Sequence, residues 1–216
     1  MRRRTLLAAG ALGPGWAAAD GAALTRAAEA GDLTALRRLL DAGAAVDGRD
    51  ARGRTALLAA TQADRADAAR LLIERGADVN AKDAIQDSPF LFAGAQGRLA
   101  ILRLTLVAGA DLKSTNRYGG TALIPAAHHG HVETVRELLK TRIDIDHVNR
   151  LGWTALLEAI ILGDGGPAHT EIVQLLVAHG ASVHRADAQG VTPLAHALQR
   201  GQRAIVEILR RAGAQA

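Results

Sequence analysis

The feature that most constrains this chain is a fixed step of 33 residues. A hydroxyl residue recurs at that spacing four times, at Thr55, Ser88, Thr121 and Thr154. Glycine keeps the same step at Gly43, Gly76 and Gly109, Arg142 takes the next slot, and Gly180 and Gly213 follow after a five-residue insertion. A period of roughly 20 to 50 residues indicates a stack of like units. Such a chain is expected to work as a binding surface.

The second unit shows the layout that the period predicts. Thr55 is expected to cap a first short helix, because its hydroxyl accepts a hydrogen bond from a free backbone N–H. Leu71 and Leu72 place bulk in the core from a second helix. Gly76 ends that helix, since a left-handed residue is easiest for glycine. An extended excursion and a tight turn then lead into the next unit.

Short motifs recur on this layout. They are Ser88-Pro89-Phe90-Leu91, Thr192-Pro193-Leu194-Ala195, Gly130-His131, Gly76-Ala77-Asp78 and Gly109-Ala110-Asp111. Together they resemble the ankyrin repeat. The resemblance implies an all-α ankyrin-repeat solenoid of about six helix-turn-helix units with short extended finger turns. It covers one domain, residues 20–214, with units at about 20–50, 51–83, 84–116, 117–149, 150–187 and 188–214.

Composition excludes several other classes of protein. The chain has no cysteine, so it has no disulfide, thiolate metal site or cysteine nucleophile. Its 26 basic residues include Arg2, Arg3 and Arg4; without these three, 23 basic residues face 22 acidic ones. Nucleic-acid-binding proteins usually carry a basic stripe, and the sequence has none. We therefore expect no nucleic-acid partner.

The first residues have the order of an export signal. Arg2, Arg3 and Arg4 precede an uncharged, moderately apolar stretch, and small residues end it at Ala17, Ala18 and Ala19. This order is typical of a secretory signal peptide, and residues 3–7 also resemble the twin-arginine motif. We predict cleavage after Ala19, a periplasmic location and no stable membrane insertion of the mature chain. The alternatives are a frayed N-terminal helix and a cytosolic scaffold.

Two near-duplicate segments, residues 116–126 and 149–159, are more specific than the general repeat. With the glycine-rich insertion at 163–167 and the export signal, they resemble a group of small exported bacterial ankyrin proteins. That resemblance implies a non-catalytic module, monomeric and without a cofactor, that binds a protein partner. The partner would be held by the concave face and the finger tips.

The resemblance also implies which residues contact the partner. Carried onto this chain, the finger tips and the face of the first helices give Arg52, Arg54, Arg117, Tyr118, Arg150, Leu151, Trp153 and Glu158. Exposed Tyr, Trp and Arg have the composition of a binding hot spot. For Trp153 the alternative is packing over the neighbouring turn, since the residue can do both. For Glu158 the alternative is a partly exposed groove residue rather than a charged contact.

Three histidines suggest another chemistry. His128, His129 and His131 have the residue type that zinc and copper favour. The repeat explains them otherwise, because Gly130-His131 is the turn between helices and adjacent helical side chains point apart. A small enzyme or metal-binding protein that uses these histidines or Glu158 stays an alternative. The glycines of the insertion lack the Gly-Lys-Ser/Thr of a phosphate-binding loop.

Overall fold

Six helix pairs follow one another along residues 14–215, the part of the chain that the computed structural model describes. The first helices of the pairs are α1 (Pro14–Ala30), α3 (Ala56–Gln62), α5 (Pro89–Ala95), α7 (Leu123–His128), α9 (Ala155–Ile161) and α11 (Pro193–Gln199). The second helices are α2 (Leu33–Asp41), α4 (Ala66–Glu74), α6 (Leu99–Val107), α8 (Val132–Leu139), α10 (Pro167–Ala178) and α12 (Arg203–Arg211). This confirms the predicted solenoid of six helix-turn-helix units.

The helices stack in two rows. Each odd-numbered helix contacts the next odd-numbered one, from α1 to α11, and the even-numbered helices contact one another in the same order. Small residues such as Ala60, Ala93 and Ala126, at one repeat position of the first helices, are buried in the core, and such small side chains let neighbouring helices lie close together. One continuous apolar core results, and each unit depends on its neighbours for burial.

The hydroxyl residues start the first helices in four units. The side-chain oxygens of Thr55, Ser88, Thr154 and Thr192 each accept the N–H three residues on, at 3.2 Å. In these units the residue four positions on also donates its N–H to the carbonyl of the cap. The cap predicted for Thr55 is present, and the same arrangement recurs.

Thr121 does not cap its helix, and Pro125 explains why. Proline has no N–H, so the bond from the fourth residue to the Thr121 carbonyl is missing. Ile124 N donates to that carbonyl instead, at 3.3 Å, and α7 begins only at Leu123. The Thr121 hydroxyl is left buried without a hydrogen-bond partner.

The second helices end as the glycine period predicts, with one variation. The five glycines in register have φ between +85° and +91°, where a side chain is strained. Arg142 takes the slot in the fourth unit, and α8 ends earlier. There the Thr141 hydroxyl donates to Leu138 O at 2.6 Å and accepts from Ile143 N at 3.2 Å. The Thr141 side chain thus supplies hydrogen bonds at this helix end, where the other units have glycine.

An Asp or Asn at the base of each finger builds the turn. One side-chain oxygen accepts two backbone N–H groups, those of the residues two and four positions on. The five residues are Asp50, Asp83, Asn116, Asn149 and Asp187, with distances of 2.9–3.1 Å. Each finger is therefore held by its own base residue, and its tip side chains are left free of that task.

The two ends of the stack differ. Ile205, Val206 and Leu209 are buried on α12, while its arginines, among them Arg210, face solvent as predicted for a terminal unit. At the other end, α1 begins at Pro14, before the predicted cleavage after Ala19. The arginines of the predicted export signal lie outside the described residues, and the cleavage stays a prediction.

A candidate binding cleft

A cleft of about 560 Å³ lies where the fingers of the third, fourth and fifth units meet the first helices. We call it the finger cleft. Four predicted contact residues line it, namely Arg117, Tyr118, Leu151 and Glu158. The first three come from fingers, and Glu158 comes from the first turn of α9.

Exposed apolar side chains are concentrated at this cleft. Ile85, Tyr118 and Leu151 are each slightly more than half exposed, and Leu162 is 43% exposed. All four line the finger cleft. The first three occupy the same repeat position, the third residue before the hydroxyl residue of their unit. A concave site with clustered apolar side chains is the usual form of a binding site.

Arg117 is held by its neighbours in the cleft. Its guanidinium carbon lies 4.9 Å from the centroid of the Tyr118 ring. One of its nitrogens lies 3.7 Å from an Asp87 carboxylate oxygen. Burial raises the pKa of Asp87, and the Arg117 charge opposes that rise. The charge of Arg117 is therefore balanced within the protein.

Glu158 is buried at the base of the cleft, with 6% of its surface exposed. Its Oε1 accepts a hydrogen bond of 2.7 Å from Asn149 Nδ2. Its Oε2 lies 3.7 Å from His128 Nδ1, beyond hydrogen-bonding distance. Burial raises the pKa of Glu158 to about 7, although the Asn149 bond favours the charged form. Glu158 is thus more buried than the partly exposed groove residue considered from the sequence.

The pairing of Glu158 with Asn149 has a counterpart in the last unit. His196 occupies the position of Glu158, and Asp187 occupies that of Asn149. His196 Nε2 lies 2.7 Å from Asp187 Oδ2. In both units, one polar atom of the base residue holds the turn. The other polar atom binds a side chain of the first helix. Asn offers a donor to a carboxylate where Asp offers an acceptor to an imidazole.

Arg150 and Trp153 do not line the finger cleft. Arg150 is exposed, but its N–H donates to Tyr118 O at 2.9 Å and its guanidinium to Arg117 O at 2.8 Å, so it ties two fingers together. Trp153 is partly buried, and its indole Nε1 is buried without a hydrogen-bond partner. Arg150 thus has contacts within the ribbon of fingers, whereas the packing of Trp153 over the neighbouring turn stays a prediction.

Arg52 and Arg54 lie on the finger of the second unit, beyond the cleft. Arg52 is exposed at the position equivalent to Tyr118 and Leu151. Arg54 is 5% exposed. Its guanidinium lies 2.9 Å from Asp50 Oδ2 and 2.8 Å from Gln62 Oε1, and a further ion pair joins it to Glu29 at 3.3 Å. Arg54 therefore stabilises the junction of the first two units and offers little surface to a partner.

The rings of the three histidines lie close together, although adjacent helical side chains were expected to point apart. The rings of His128 and His129 lie 4.3 Å apart and nearly parallel, and the His131 ring is 5.9 Å from that of His129. Burial, followed by repulsion from neighbouring histidines, lowers the pKa of His128. Burial is also the largest cause that lowers the pKa of His131. Within residues 14–215, no three His, Asp or Glu side chains are placed to hold a metal ion.

A second cavity, of about 760 Å³, lies beside the insertion and α10. The arginine that borders it, Arg136, is paired with Glu171 and Glu133. Asp164, in the insertion, is bound to His169, whose other ring nitrogen meets His128 O at 2.8 Å. These contacts anchor the insertion to the fourth unit and leave its charges satisfied.

Two residues that line the cleft were not predicted from the sequence. Phe92 and Leu162 line it, and neither stands out by residue type from an ordinary core residue. The base residues of the fingers were readable, because Asp or Asn recurs every 33 residues from Asp50 to Asn149. This 33-residue register distinguishes Asn149 from the tip residues around it. The side chain of Asn149 bonds both the turn and Glu158.

Sequence profiles of known families match this chain over most of its length. The profile of ankyrin repeats in three copies matches residues 6–83 and 90–184. A second ankyrin profile, of many copies, matches residues 167–210. A curated relative, the putative ankyrin repeat protein YahD of Escherichia coli strain K12, is 53% identical over 57 residues. That match spans 26% of this chain and only 28% of the relative's own length.

Solved structures resemble the whole stack. An ankyrin repeat domain from Acinetobacter baumannii AYE is 58% identical, with a TM-score of 0.87, and the match covers 89% of this chain and 98% of that one. The ankyrin repeat protein EF0377 is 42% identical with a TM-score of 0.85, over 88% and 98% of the two chains. The ankyrin repeat domain of Bcl-3, of the IkappaB family, is 31% identical with a TM-score of 0.80, over 89% and 86%.

Proposed function

This chain belongs to the ankyrin repeat family, and we propose that it is a non-catalytic module that binds a protein partner in the finger cleft. Proteins of this family generally bind protein partners. The observation that carries the proposal is the gathering of Ile85, Tyr118, Leu151 and Leu162, all exposed, around one cleft. Exposed apolar area of this kind is costly unless a partner covers it.

The rigid stack favours tight recognition. The fingers are fixed by their base residues, and the Tyr118–Arg150 backbone bond joins two of them. A site that is already ordered loses little conformational entropy when a partner binds. We propose that one copy of the chain suffices, because residues of a single chain complete the cleft.

The test compares two exposed apolar residues. Tyr118 lines the cleft, whereas Val107, which is 91% exposed, ends α6 and does not line it. Crosslinking in the cell envelope followed by mass spectrometry should identify a partner of the unaltered chain. We expect Tyr118→Ala to weaken binding of that partner by about tenfold or more, and Val107→Ala to leave it unchanged. Equal binding by both variants would remove the finger cleft as the binding site.

We also propose that the chain acts in the periplasm after export. The support is the order of charged, apolar and small residues before Ala19. No helix within residues 14–215 has the length and apolar character needed to cross a bilayer. Cell fractionation with mass spectrometry of the N-terminus tests the proposal. A mature chain that begins at Asp20 in the periplasmic fraction supports it, and an uncut chain in the cytosol would make the protein a cytosolic scaffold.

One observation favours a second candidate, a small enzyme. A carboxyl group with a pKa of about 7, here Glu158, is suited to general acid–base chemistry. Against it, His128 Nδ1 lies 3.7 Å from Glu158 Oε2, which is too far for a hydrogen bond that would pass a proton between the two side chains. An activity that Glu158→Gln abolishes while the protein stays folded would favour the enzyme.

A further inference from the structure

We propose that the finger cleft selects a partner segment that carries a lysine or arginine, and that Glu158 pairs with this basic side chain. The proposal rests on the proposed function, because it names the chemistry of the partner that the same cleft holds. Three observations carry it: the charges that line the cleft, the atoms around the Glu158 carboxylate, and the apolar walls.

Of the two carboxylates that line the cleft, Glu158 is the one that has no arginine or lysine beside it in the described part of the chain. Asp87, Arg117 and Glu158 are the Asp, Glu, Lys and Arg residues that line it. Arg117 lies 3.7 Å from Asp87 and stacks on Tyr118, so these two charges balance each other. Among residues 14–215, the ion pair recorded for Glu158 is with His128 alone. Burial lowers the pKa of His128, which disfavours a positive charge on that imidazole.

The surroundings of Glu158 make a charged partner favourable there. Oε1 is fixed by Asn149, which orients the carboxylate group. Oε2 lies 3.7 Å from the nearest ring nitrogen of His128, which is too far for a hydrogen bond. A buried carboxylate without a counter-charge is unfavourable, and the raised pKa of Glu158 expresses that cost. A cation brought by the partner would relieve it.

The walls of the cleft suit the stem of a long basic side chain. Tyr118, Leu151 and Leu162 are exposed apolar residues that line the same cleft as Glu158. Lysine and arginine bury their methylene stems along apolar surface while the charged head reaches a polar group. A segment with apolar residues next to a basic one would therefore cover the apolar surface and neutralise Glu158 together.

Other partner chemistries fit less well. An acidic peptide or a nucleic-acid phosphate would bring a second negative charge against Glu158, and like charges that are brought together cost binding energy. Arg117 offers them little, since Asp87 already engages it. A metal ion would need more ligands than the described residues gather. The cation therefore comes from the partner.

A random-peptide display library, selected on the full chain, tests the proposal. The selection is repeated on Glu158→Gln, which keeps an oxygen for Asn149 but removes the charge. Glu133→Gln is the matched control, since Glu133 is 63% exposed and lies on α8, away from the cleft. We expect an excess of lysine and arginine in the peptides from the unaltered chain and from Glu133→Gln. The excess should be lost with Glu158→Gln.

A second measurement leaves the protein untouched. A selected peptide is synthesised with its arginine or lysine, and again with citrulline or norleucine in its place. We expect the neutral peptide to bind about tenfold more weakly, because a buried charge pair has lost one partner. The loss should disappear when both peptides are measured on Glu158→Gln, and persist on Glu133→Gln.

The outcomes separate the two proposals. Peptides that bind Tyr118→Ala poorly but show no basic excess, or that tolerate citrulline, overturn the role of Glu158 and leave the cleft as the binding site. Peptides that bind Tyr118→Ala as well as the unaltered chain count against the cleft itself. A selection that yields no cleft-dependent peptide counts against both.

Discussion

Glu158 shows how much the environment of one residue decides its chemistry. At the equivalent first-helix position, other units carry Ala59, Phe92 and Pro125, which lack a charge. Asn149, at the base of the finger that leads into α9, binds one oxygen of Glu158 and favours its charged form. Burial opposes this bond and has the larger effect, so it raises the pKa of Glu158 to about 7, above the ordinary range of glutamate.

We predict that Glu158→Gln changes how stability depends on pH. Between pH 4.5 and about 7 the folded chain keeps a proton on Glu158 that the unfolded chain has lost. Folding is therefore weakened as pH rises through that window, and the loss persists above it. Glutamine does not titrate, so at about pH 8 the variant should be more stable by on the order of 2 kcal/mol. Urea unfolding across this pH range measures the difference.

Another titrating group near Glu158 also makes stability depend on pH, so the prediction needs a control. His128, whose pKa is lowered, gives the opposite trend, with stability lost as pH falls. Its contribution is present in both proteins and largely cancels in the difference between them. Glu133→Gln, at an exposed site, should follow the parent at every pH. A Glu158→Gln protein that also follows the parent would contradict the raised pKa.

For single residues, the 33-residue period predicted which residues belong to the fingers better than it predicted how exposed their side chains are. Tyr118 and Leu151 share a repeat position and both reach the cleft. Arg54 and Trp153 lie two residues later in their fingers and are largely or partly buried. Whether a finger residue turns outward depends on contacts such as the Arg54–Asp50 ion pair, which join residues by side-chain geometry that the period does not encode.

The helix starts give a prediction at the scale of single elements. Thr154 caps α9 through Leu157 N, whereas the Thr121 hydroxyl is buried without a partner. Valine has nearly the same shape as threonine but no hydroxyl. We expect Thr154→Val to lower the free energy of unfolding by about 1 kcal/mol. Thr121→Val should be neutral or raise it slightly, because it removes an unsatisfied polar group.

Thermal and urea unfolding of the two valine variants, measured side by side, check this contrast. Each variant serves as the control for the other, since both change the same residue type at equivalent positions. Equal losses of stability would mean that the Thr121 hydroxyl finds a partner after all. The expectation depends on Pro125, whose missing N–H moves the start of α7.

Most elements could be predicted from the period, and the exceptions have local causes. Hydroxyl and glycine positions predicted where helices begin and end in most units. In the fourth unit Pro125 and Arg142 break both signals, and Thr141 supplies the substitute end. Such substitutions work through single hydrogen bonds, whose presence depends on side-chain orientation rather than on the pattern of residue types.

The whole molecule depends on close contact between neighbouring units. Gly94 lies on α5, and a Cβ atom placed there would come within 2.8 Å of Ala122 Cβ in the next unit. We predict that Gly94→Val separates the third and fourth units and lowers the free energy of unfolding by about 2 kcal/mol. Because each unit contacts only its neighbours, the two halves should then unfold in separate steps.

Urea unfolding and hydrogen exchange with mass spectrometry test this prediction. Ala178→Val adds a larger side chain on the exposed end of α10 and should keep a single transition. Gly94→Val should show a broader or two-step transition, with faster exchange in α5 and α7 than in α11. A single transition of unchanged steepness would show that the stack absorbs the added side chain.

The finger turns have a consequence for how proteins of this kind diversify. In each of the five fingers within residues 14–215, the tip residue donates its backbone N–H to the side chain that holds the turn, as Arg52, Ile85, Tyr118, Leu151 and Gln189 do here. Every amino acid except proline can supply that group. The specificity for a partner can therefore be changed one tip residue at a time, by mutation or in a combinatorial library, while the turns and the helix stack keep their structure.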